Sequence, residues 1–98
     1  MDRKKMERKV VKTIRTYLKP GMPGLVGMNT RIQNDMGMDS MDIMDLNDTV
    51  EKSFNFRAPY ADWDAFWANS DSTVQQLCDF IEIQIRKNSK HKPDNEEE

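Results

Sequence analysis

The sequence predicts a single small all-α domain: a four-helix bundle with three longer helices and one short helix. Its 98 residues are enough for one modest hydrophobic core. Only 37% of the residues are hydrophobic, 33% are charged and 4 are prolines, which favours helices with a wet surface over a β-sandwich. Three separate segments repeat apolar residues with a spacing of three or four, which is the spacing of one helical face.

The first predicted helix covers residues 2–18 and ends at Lys19-Pro20-Gly21. Its apolar stripe consists of Met6, Val10, Val11, Ile14, Tyr17 and Leu18. From there to Asp39 the sequence predicts a long loop, which is unusual in so small a domain. The apolar residues that we expect to hold this loop on the core are Leu25, Val26, Met28, Ile32 and Met36.

The second helix is predicted to begin at Ser40, with Asp39 as its N-cap. The Asp39 carboxylate can accept a hydrogen bond from an amide of the first turn, and it lies at the positive end of the helix dipole. Met38 and Ile43 occupy the flanking positions of a hydrophobic staple. The predicted core stripe of this helix is Ile43, Leu46, Val50 and Phe54, and its predicted outward acidic stripe is Asp42, Asp45, Asp48 and Glu51.

The remaining two helices are predicted in the second half of the chain. A short one near residues 60–69 carries Trp63, Phe66 and Trp67, which either fill the core or line a pocket. The last begins at Ser72-Thr73-Val74-Gln75, where we predict a capping box with Ser72 as N-cap. Its buried face is Val74, Leu77, Cys78, Ile81 and Ile85. The domain is expected to cover 1–88, and the polar segment 89–98 is expected to be disordered.

Charge is distributed unevenly along the chain, although the formal net charge is only −2. Residues 1–20 hold eight Lys/Arg against Asp2 and Glu7, a net of +6. Residues 35–85 hold eleven Asp/Glu against Lys52 and Arg57, a net of −9. Such a division can steer an encounter with a charged partner, or it can reflect two solvated helix faces.

The basic first helix could contact nucleic acid or an anionic membrane. It lacks aromatic residues for stacking and no nucleic-acid motif is present, so we expect instead a solvated face that could dock a particular partner. No apolar run approaches the ~20 residues that span a bilayer, so we expect a cytoplasmic protein without stable membrane insertion. The single cysteine, Cys78, excludes an internal disulfide and a cysteine-based zinc site, and we expect it to be a buried thiol.

Catalysis by this chain is not expected. A serine nucleophile needs a base within reach, and the only histidine, His91, lies in the polar tail. The aspartates of residues 35–42 do not follow the calcium-loop spacing, and no glycine-rich phosphate cradle is present. Ser40 is therefore expected either to be an ordinary helix-start residue or to carry a group that another protein installs, and we expect no bound metal.

Three parts of the chain together resemble the acyl carrier proteins. The approach Asp35-Met36-Gly37-Met38-Asp39-Ser40 is similar to the family's Asp-Leu-Gly-x-Asp-Ser, with Met41 where leucine is usual. The next helix matches in Asp42, Asp45, Leu46, Glu51 and Phe54, and Thr73-Val74-Gln75 resembles the start of the last helix. The resemblance covers residues 4–86 and also accounts for the long first loop.

This resemblance implies that Ser40 bears 4′-phosphopantetheine, transferred from coenzyme A by a phosphopantetheinyl transferase, with Asp39 assisting the transferase's metal site. The arm would hold an acyl thioester for fatty-acid, lipid or polyketide-type biosynthesis. Partner enzymes with basic patches would dock on the second helix, through Met41, Asp42, Met44, Asp45, Asp48 and Glu51. For each of these acids a solvated face is an equally good explanation, and the methionines could instead edge the core. We expect a monomer.

The chain also differs from the family pattern. The segment from Phe54 to Val74 is longer than in typical fatty-acid carriers, the first helix is unusually basic, and Asn47 and Asp48 replace residues that are commonly apolar. These differences indicate a specialised carrier. Two alternatives stay open: an unmodified helical adaptor that binds proteins through its charged faces, and a peptidyl or aminoacyl carrier.

Overall fold

Five helices and no β-strand make up the residues that the computed structural model describes, which are 2–18 and 25–91. The helices are α1 (Arg3–Arg15), α2 (Ile32–Met36), α3 (Ser40–Phe54), α4 (Tyr60–Trp67) and α5 (Val74–His91). The predicted all-α class is confirmed. The additional helix, α2, lies within the stretch for which the sequence predicted only loop. The predicted helix stop at residues 19–21 lies outside the described residues. Of the segment 89–98, which was predicted to be disordered, residues 89–91 continue α5, and residues 92–98 lie outside the described residues.

The core is formed by the apolar stripes that the sequence predicted. The buried members of these stripes are Met6, Val10, Ile14, Ile43, Leu46, Val50, Phe54, Val74, Leu77, Cys78 and Ile81. The segment before α3 adds Ile32, Met36 and Met38. The expectation for Leu25 was wrong, because its side chain is 92% exposed. The chain turns between Gly27 and Thr30. The other four residues expected to hold this loop, Val26, Met28, Ile32 and Met36, do pack in or against the core.

The segments that precede α2 and α5 pair with each other and hold the starts of these two helices together. Ile32 N donates to Ser72 O and Val74 N donates to Thr30 O, each at 3.0 Å, so the segment before α2 pairs with the segment before α5. Gly37 ends α2 with φ 61°, in the left-handed region where glycine has no steric penalty. This turn directs the chain into α3.

The capping box of α5 lies one residue later than predicted. Thr73 Oγ1 accepts from Gln76 N at 3.2 Å, and Thr73 N donates to Gln76 Oε1 at 2.8 Å. Ser72 is not the N-cap, because its buried hydroxyl donates instead to the Phe66 carbonyl at 3.0 Å and closes the turn between α4 and α5.

Helix α1 packs between α3 and α5. Its Arg3 contacts two carboxylates of α5, those of Asp79 at 2.8 Å and Glu82 at 3.1 Å. Lys9 donates to Ser53 O at 2.7 Å at the end of α3. Among the described residues, none of the helices combines the length and the apolar character that crossing a membrane requires.

Candidate functional site

Ser40 is an exposed side chain at the first residue of α3. The predicted N-cap is confirmed: Asp39 Oδ1 accepts from Asp42 N at 2.9 Å, and Asp39 N donates to Asp42 Oδ2 at 3.4 Å. This reciprocal capping box fixes the backbone on both sides of Ser40. Met38 and Ile43 flank the box and are both buried, as the predicted staple requires. The hydroxyl is therefore presented to solvent from a rigid position.

The helix end gives Ser40 an electrostatic environment that suits an anion. The amides of a first helical turn lack intrahelical partners, and the helix dipole is positive at this end. A negative group attached at such an exposed site is favoured by about 0.3–1 kcal/mol. No described hydrogen bond joins the Ser40 hydroxyl to a basic side chain. The exposed hydroxyl at this helix end is thus a position that tolerates a negatively charged group.

A cavity of about 250 Å³, here called the Ser40 groove, opens beside this serine between α2, α3 and α4. Its apolar and aromatic lining is Ile43, Met44, Tyr60, Trp63 and Trp67, and its polar lining is Gln33, Asn47 and Asp64 together with Ser40. A lining of apolar and aromatic side chains with several polar groups is typical of small-ligand sites. The groove therefore provides a place for a small group that is held near Ser40.

Two indole hydrogen bonds fix the wall of the Ser40 groove. Trp67 Nε1 donates to Asn47 Oδ1 at 2.8 Å, and Trp63 Nε1 donates to Glu51 Oε2 at 2.9 Å, so both bonds tie α4 to α3. Gln33 Nε2 donates to the Trp67 carbonyl at 2.9 Å and ties α2 to the same helix. The polar residue at position 47 thus has a structural reason, because it is the acceptor for Trp67.

The aromatic residues of α4 divide between the two roles that the sequence left open. Trp63 and Trp67 line the Ser40 groove with nearly parallel rings, 6.5 Å apart between centroids. Phe66 is directed away from it and packs on Phe80 of α5 at 5.1 Å. Trp63 is also part of the core, since only 4% of it is exposed.

The six predicted docking residues all lie on α3, but their surroundings differ. Met41 and Met44 are 78% and 65% exposed. The four acids have local contacts, with Asp42 bound in the capping box, Asp45 accepting from the Tyr17 hydroxyl, Asp48 paired with Lys52 at 2.9 Å, and Glu51 bound to Trp63. Partial burial and the bond to Asp45 raise the pKa of Tyr17 above its usual value.

Sequence reasoning missed Gln33, Asn47, Tyr60 and Asp64 as residues of this site. Gln33 lies on α2, a helix too short to show a periodic pattern. Asn47 did carry a signal: a polar residue at a commonly apolar position, opposite an unusually tryptophan-rich segment. Pairing that amide with an indole would have predicted the contact between α3 and α4.

Two other sequence expectations bear on chemistry at this site. Cys78 is fully buried as predicted, and burial raises the pKa of its thiol to about 11. Because the thiolate is the reactive form, this thiol is unreactive at neutral pH in the folded chain. Within residues 2–18 and 25–91, no three His, Cys, Asp or Glu side chains are grouped so as to hold a metal ion.

Comparison with known proteins does not place the chain in a family. Neither the protein-family models nor the curated proteins nor the solved structures include a match to it. Functional inference therefore depends on the residues of this chain and on their geometry.

Proposed function

We propose that this chain is an acyl carrier protein. In this proposal Ser40 bears a 4′-phosphopantetheine arm from coenzyme A, and the chain delivers an acyl thioester to partner enzymes of fatty-acid, lipid or polyketide-type biosynthesis. The observation that carries the proposal is the exposed Ser40 hydroxyl on the first turn of α3, beside a groove of about 250 Å³. Helices α1, α3, α4 and α5 would be the four helices of the carrier bundle, with α2 an additional turn in its long first loop.

The residues around Ser40 fit such an arm. The serine oxygen would form the phosphoester, and the first-turn amides of α3 would favour the negative charge of the phosphodiester. Ser40 itself is exposed, so an arm attached there would extend into solvent. Asp39 would assist the transferase's metal site. When bound, the arm supplies the thiol that holds the cargo as a thioester.

The Ser40 groove supports a small cargo or the end of a larger one. Ile43, Trp63 and Trp67 offer an apolar surface, while the Trp67–Asn47 hydrogen bond limits how far α3 and α4 can separate. Opening a path between these helices for a long chain would break the partly buried Trp67–Asn47 hydrogen bond, which costs about 1 kcal/mol.

Docking of partner enzymes would use the exposed methionines of α3 and the acids beside them. Met41 and Met44 offer adaptable apolar contacts, and Asp42, Asp45 and Asp48 offer negative charge. Glu51 lies toward the other end of the helix, and one of its carboxylate oxygens is bound to Trp63. It would contact a partner only through the part of the carboxylate that this bond leaves accessible. Charge reversal at Asp45 and Asp48 should slow modification by the transferase, and more so at low salt than at high salt.

The test is the intact mass of the chain after incubation with a broad-specificity phosphopantetheinyl transferase, magnesium and coenzyme A. We expect one phosphopantetheine increment in the natural chain and in Ser70→Ala, which removes another exposed serine hydroxyl. Ser40→Ala should show no increment. Labelling of Ser40→Ala would show that the attachment site is another residue. If several transferases fail to modify the natural chain, the unmodified adaptor is favoured.

Thiol reactivity gives an independent readout of the same modification. Cys78 is buried and the pKa of its thiol is raised to about 11, so the folded unmodified chain should react negligibly with a thiol reagent at neutral pH. The modified chain should show one fast thiol, that of the arm. A fast thiol in the folded unmodified chain would contradict this assignment.

Within the carrier class, the Asp64 carboxylate in the Ser40 groove favours an aminoacyl cargo as the second candidate. A protonated amine of the cargo would find its counter-charge there. Chains loaded chemoenzymatically with glycyl- and acetyl-pantetheine would be compared by thermal unfolding. If Asp64 selects an amine, the glycyl form is the more stable and Asp64→Asn abolishes the difference. An unchanged order in Asp64→Asn would exclude this role.

A further inference from the structure

A second groove lies on α1, remote from the proposed chemistry of Ser40. It has a volume of about 590 Å³ and is here called the α1 groove. Its rim carries four cations, Lys4, Arg8, Lys12 and Arg15, and its apolar floor is Val11 and Met28. Spacings of four, four and three residues place all four cations along one side of the helix. None of these residues has a role in the proposed carrier site.

These four cations have no ion-pair partner within residues 2–18 and 25–91. Among the described lining residues the one acid is Glu7, whose carboxylate is bound to Arg3 at 2.8 Å. Arg3 also contacts α5. The sequence between the two described ranges, residues 19–24, contains no Asp or Glu. By contrast, Arg31 and Lys52 each pair with a carboxylate at 2.9 Å or less. Among the described residues, the four rim cations of the α1 groove therefore have no paired carboxylate.

We propose that the α1 groove docks an acidic amphipathic helix of a partner protein. The cations extend over about 16 Å at 1.5 Å per residue, which is too long for one small anion. An α-helix with carboxylates four residues apart repeats its charge every ~6 Å, the same repeat as Lys4, Arg8 and Lys12. Apolar side chains next to those carboxylates would reach Val11 and Met28, as in other helix-in-groove complexes.

Other anionic partners fit the surface less well. Val11 and Met28 are each only partly exposed, so a lipid surface would gain little apolar contact from them. None of the described residues that line the groove is aromatic, so a base would find no side chain there on which to stack. The chain has a net charge of −2 and an acidic α3, so a long polyanion would be repelled by the rest of the molecule. A short acidic helix avoids that repulsion by contacting only α1.

The test is binding of a synthetic helical peptide with glutamates four residues apart and leucines beside them, measured by fluorescence anisotropy with the full-length chain. Arg8→Glu with Lys12→Glu should weaken binding at least about tenfold. Lys5→Glu with Arg57→Glu makes the same change in net charge outside the groove and should weaken it less than about threefold. Met28→Gln should weaken it about threefold by removing an apolar contact. A peptide with glutamine in place of glutamate should not bind.

Circular dichroism of each variant establishes that it folds, which is expected because all of the changed cations are exposed. The proposal is overturned if the glutamate peptide shows no saturable binding at low salt. It is also overturned if the two double variants weaken binding equally, since net charge alone would then explain it. Tighter binding of anionic vesicles or duplex DNA through Arg8 and Lys12 would assign the surface to a different partner. None of these outcomes depends on modification of Ser40.

Discussion

Helices α1 and α3 both carry a stripe of like charge on the side away from the core, yet the two stripes are in opposite states. Three of the four acids on α3 bind elsewhere on the described chain through the capping box, the Tyr17 hydroxyl and the Trp63 indole, and the fourth pairs with Lys52. The rim cations of α1 have no such partners among the described residues.

A charge stripe in a sequence therefore does not show which of its charges are available to a partner. In both helices the charged residues recur at regular spacing. A charged side chain can nevertheless bind a neighbouring acceptor or donor, and it is then less available to a partner. On α3 the neighbours are Tyr17, Lys52 and Trp63, and the exposed docking material that remains is chiefly Met41 and Met44. On α1 the charge itself remains.

Among substitutions in these two charge stripes, we expect the largest loss of stability from replacing Glu51. Glu51→Ala removes the acceptor of both Trp63 Nε1 and Ala58 N, each at 2.9 Å, and should cost about 1–3 kcal/mol of unfolding free energy. Asp48→Ala, on the same acidic stripe, removes only an exposed ion pair and should cost less than about 1 kcal/mol. Urea unfolding of both variants measures the difference. Equal costs would mean that Glu51 is as dispensable to the fold as Asp48.

The next effect concerns Asp39, where stability and the proposed modification can be separated. Asp39→Ala should lose about 1 kcal/mol, because the Asp42 amide loses its cap. Asp39→Asn keeps a capping oxygen and should recover most of that stability. If Asp39 assists the transferase's metal, Asp39→Asn is stable but modified slowly. Modification of Asp39→Asn at the natural rate would restrict Asp39 to its structural role.

Much of the fold was predictable, because it depends on local patterns. The apolar stripes of α1, α3 and α5 and the N-cap of α3 follow from spacing and from Asp39 alone. The helix α2 was missed because five residues are too few to show a period. The capping box of α5 was placed one residue early, because Ser72 and Thr73 are equally good caps by sequence. The Phe66 carbonyl, which occupies the Ser72 hydroxyl, decides between them.

The candidate site was predictable only in part, for the same physical reason. Ser40 and Asp39 form a local motif, and their positions follow from the start of one helix. The Ser40 groove joins Gln33, Asn47 and Trp67 from three helices, and such long-range contacts leave no periodic trace in a single sequence. The α1 groove likewise needs Met28 next to Val11, which only the folded chain brings together.

A smaller difference in stability is expected between variants of two arginines of α1. Arg3 contacts Glu7, Asp79 and Glu82 and joins α1 to α5, so Arg3→Ala should lose about 0.5–1 kcal/mol. Arg8→Ala should change the free energy of unfolding by less than about 0.5 kcal/mol, because Arg8 has no partner among the described residues to lose. Thermal unfolding at low and high salt should show the Arg3 loss shrinking with salt. A large destabilisation by Arg8→Ala would show that the α1 rim is structural.

The smallest expected effect is the contribution to stability of Asp35, an exposed carboxylate that is paired, in contrast to the rim cations of the α1 groove. Asp35 accepts from the Arg31 backbone amide at 2.7 Å and from the Arg31 guanidinium at 2.8 Å, and these bonds hold the pKa of Asp35 below its usual value. A carboxyl whose pKa is lowered by folding adds stability above the ordinary pKa of ~3.9, and that contribution is lost as pH falls through the lower, folded value. Between about pH 5 and pH 2, the natural chain should therefore lose slightly more stability than Asp35→Asn. Asp64→Asn serves as the matched control, since its carboxylate has no hydrogen-bond partner in the described part of the chain. If stability falls equally with pH in the natural chain and in Asp35→Asn, the Asp35–Arg31 pair contributes nothing measurable to stability. In that case the rim cations of α1 would lose no measurable stability by having no ion-pair partner among the described residues.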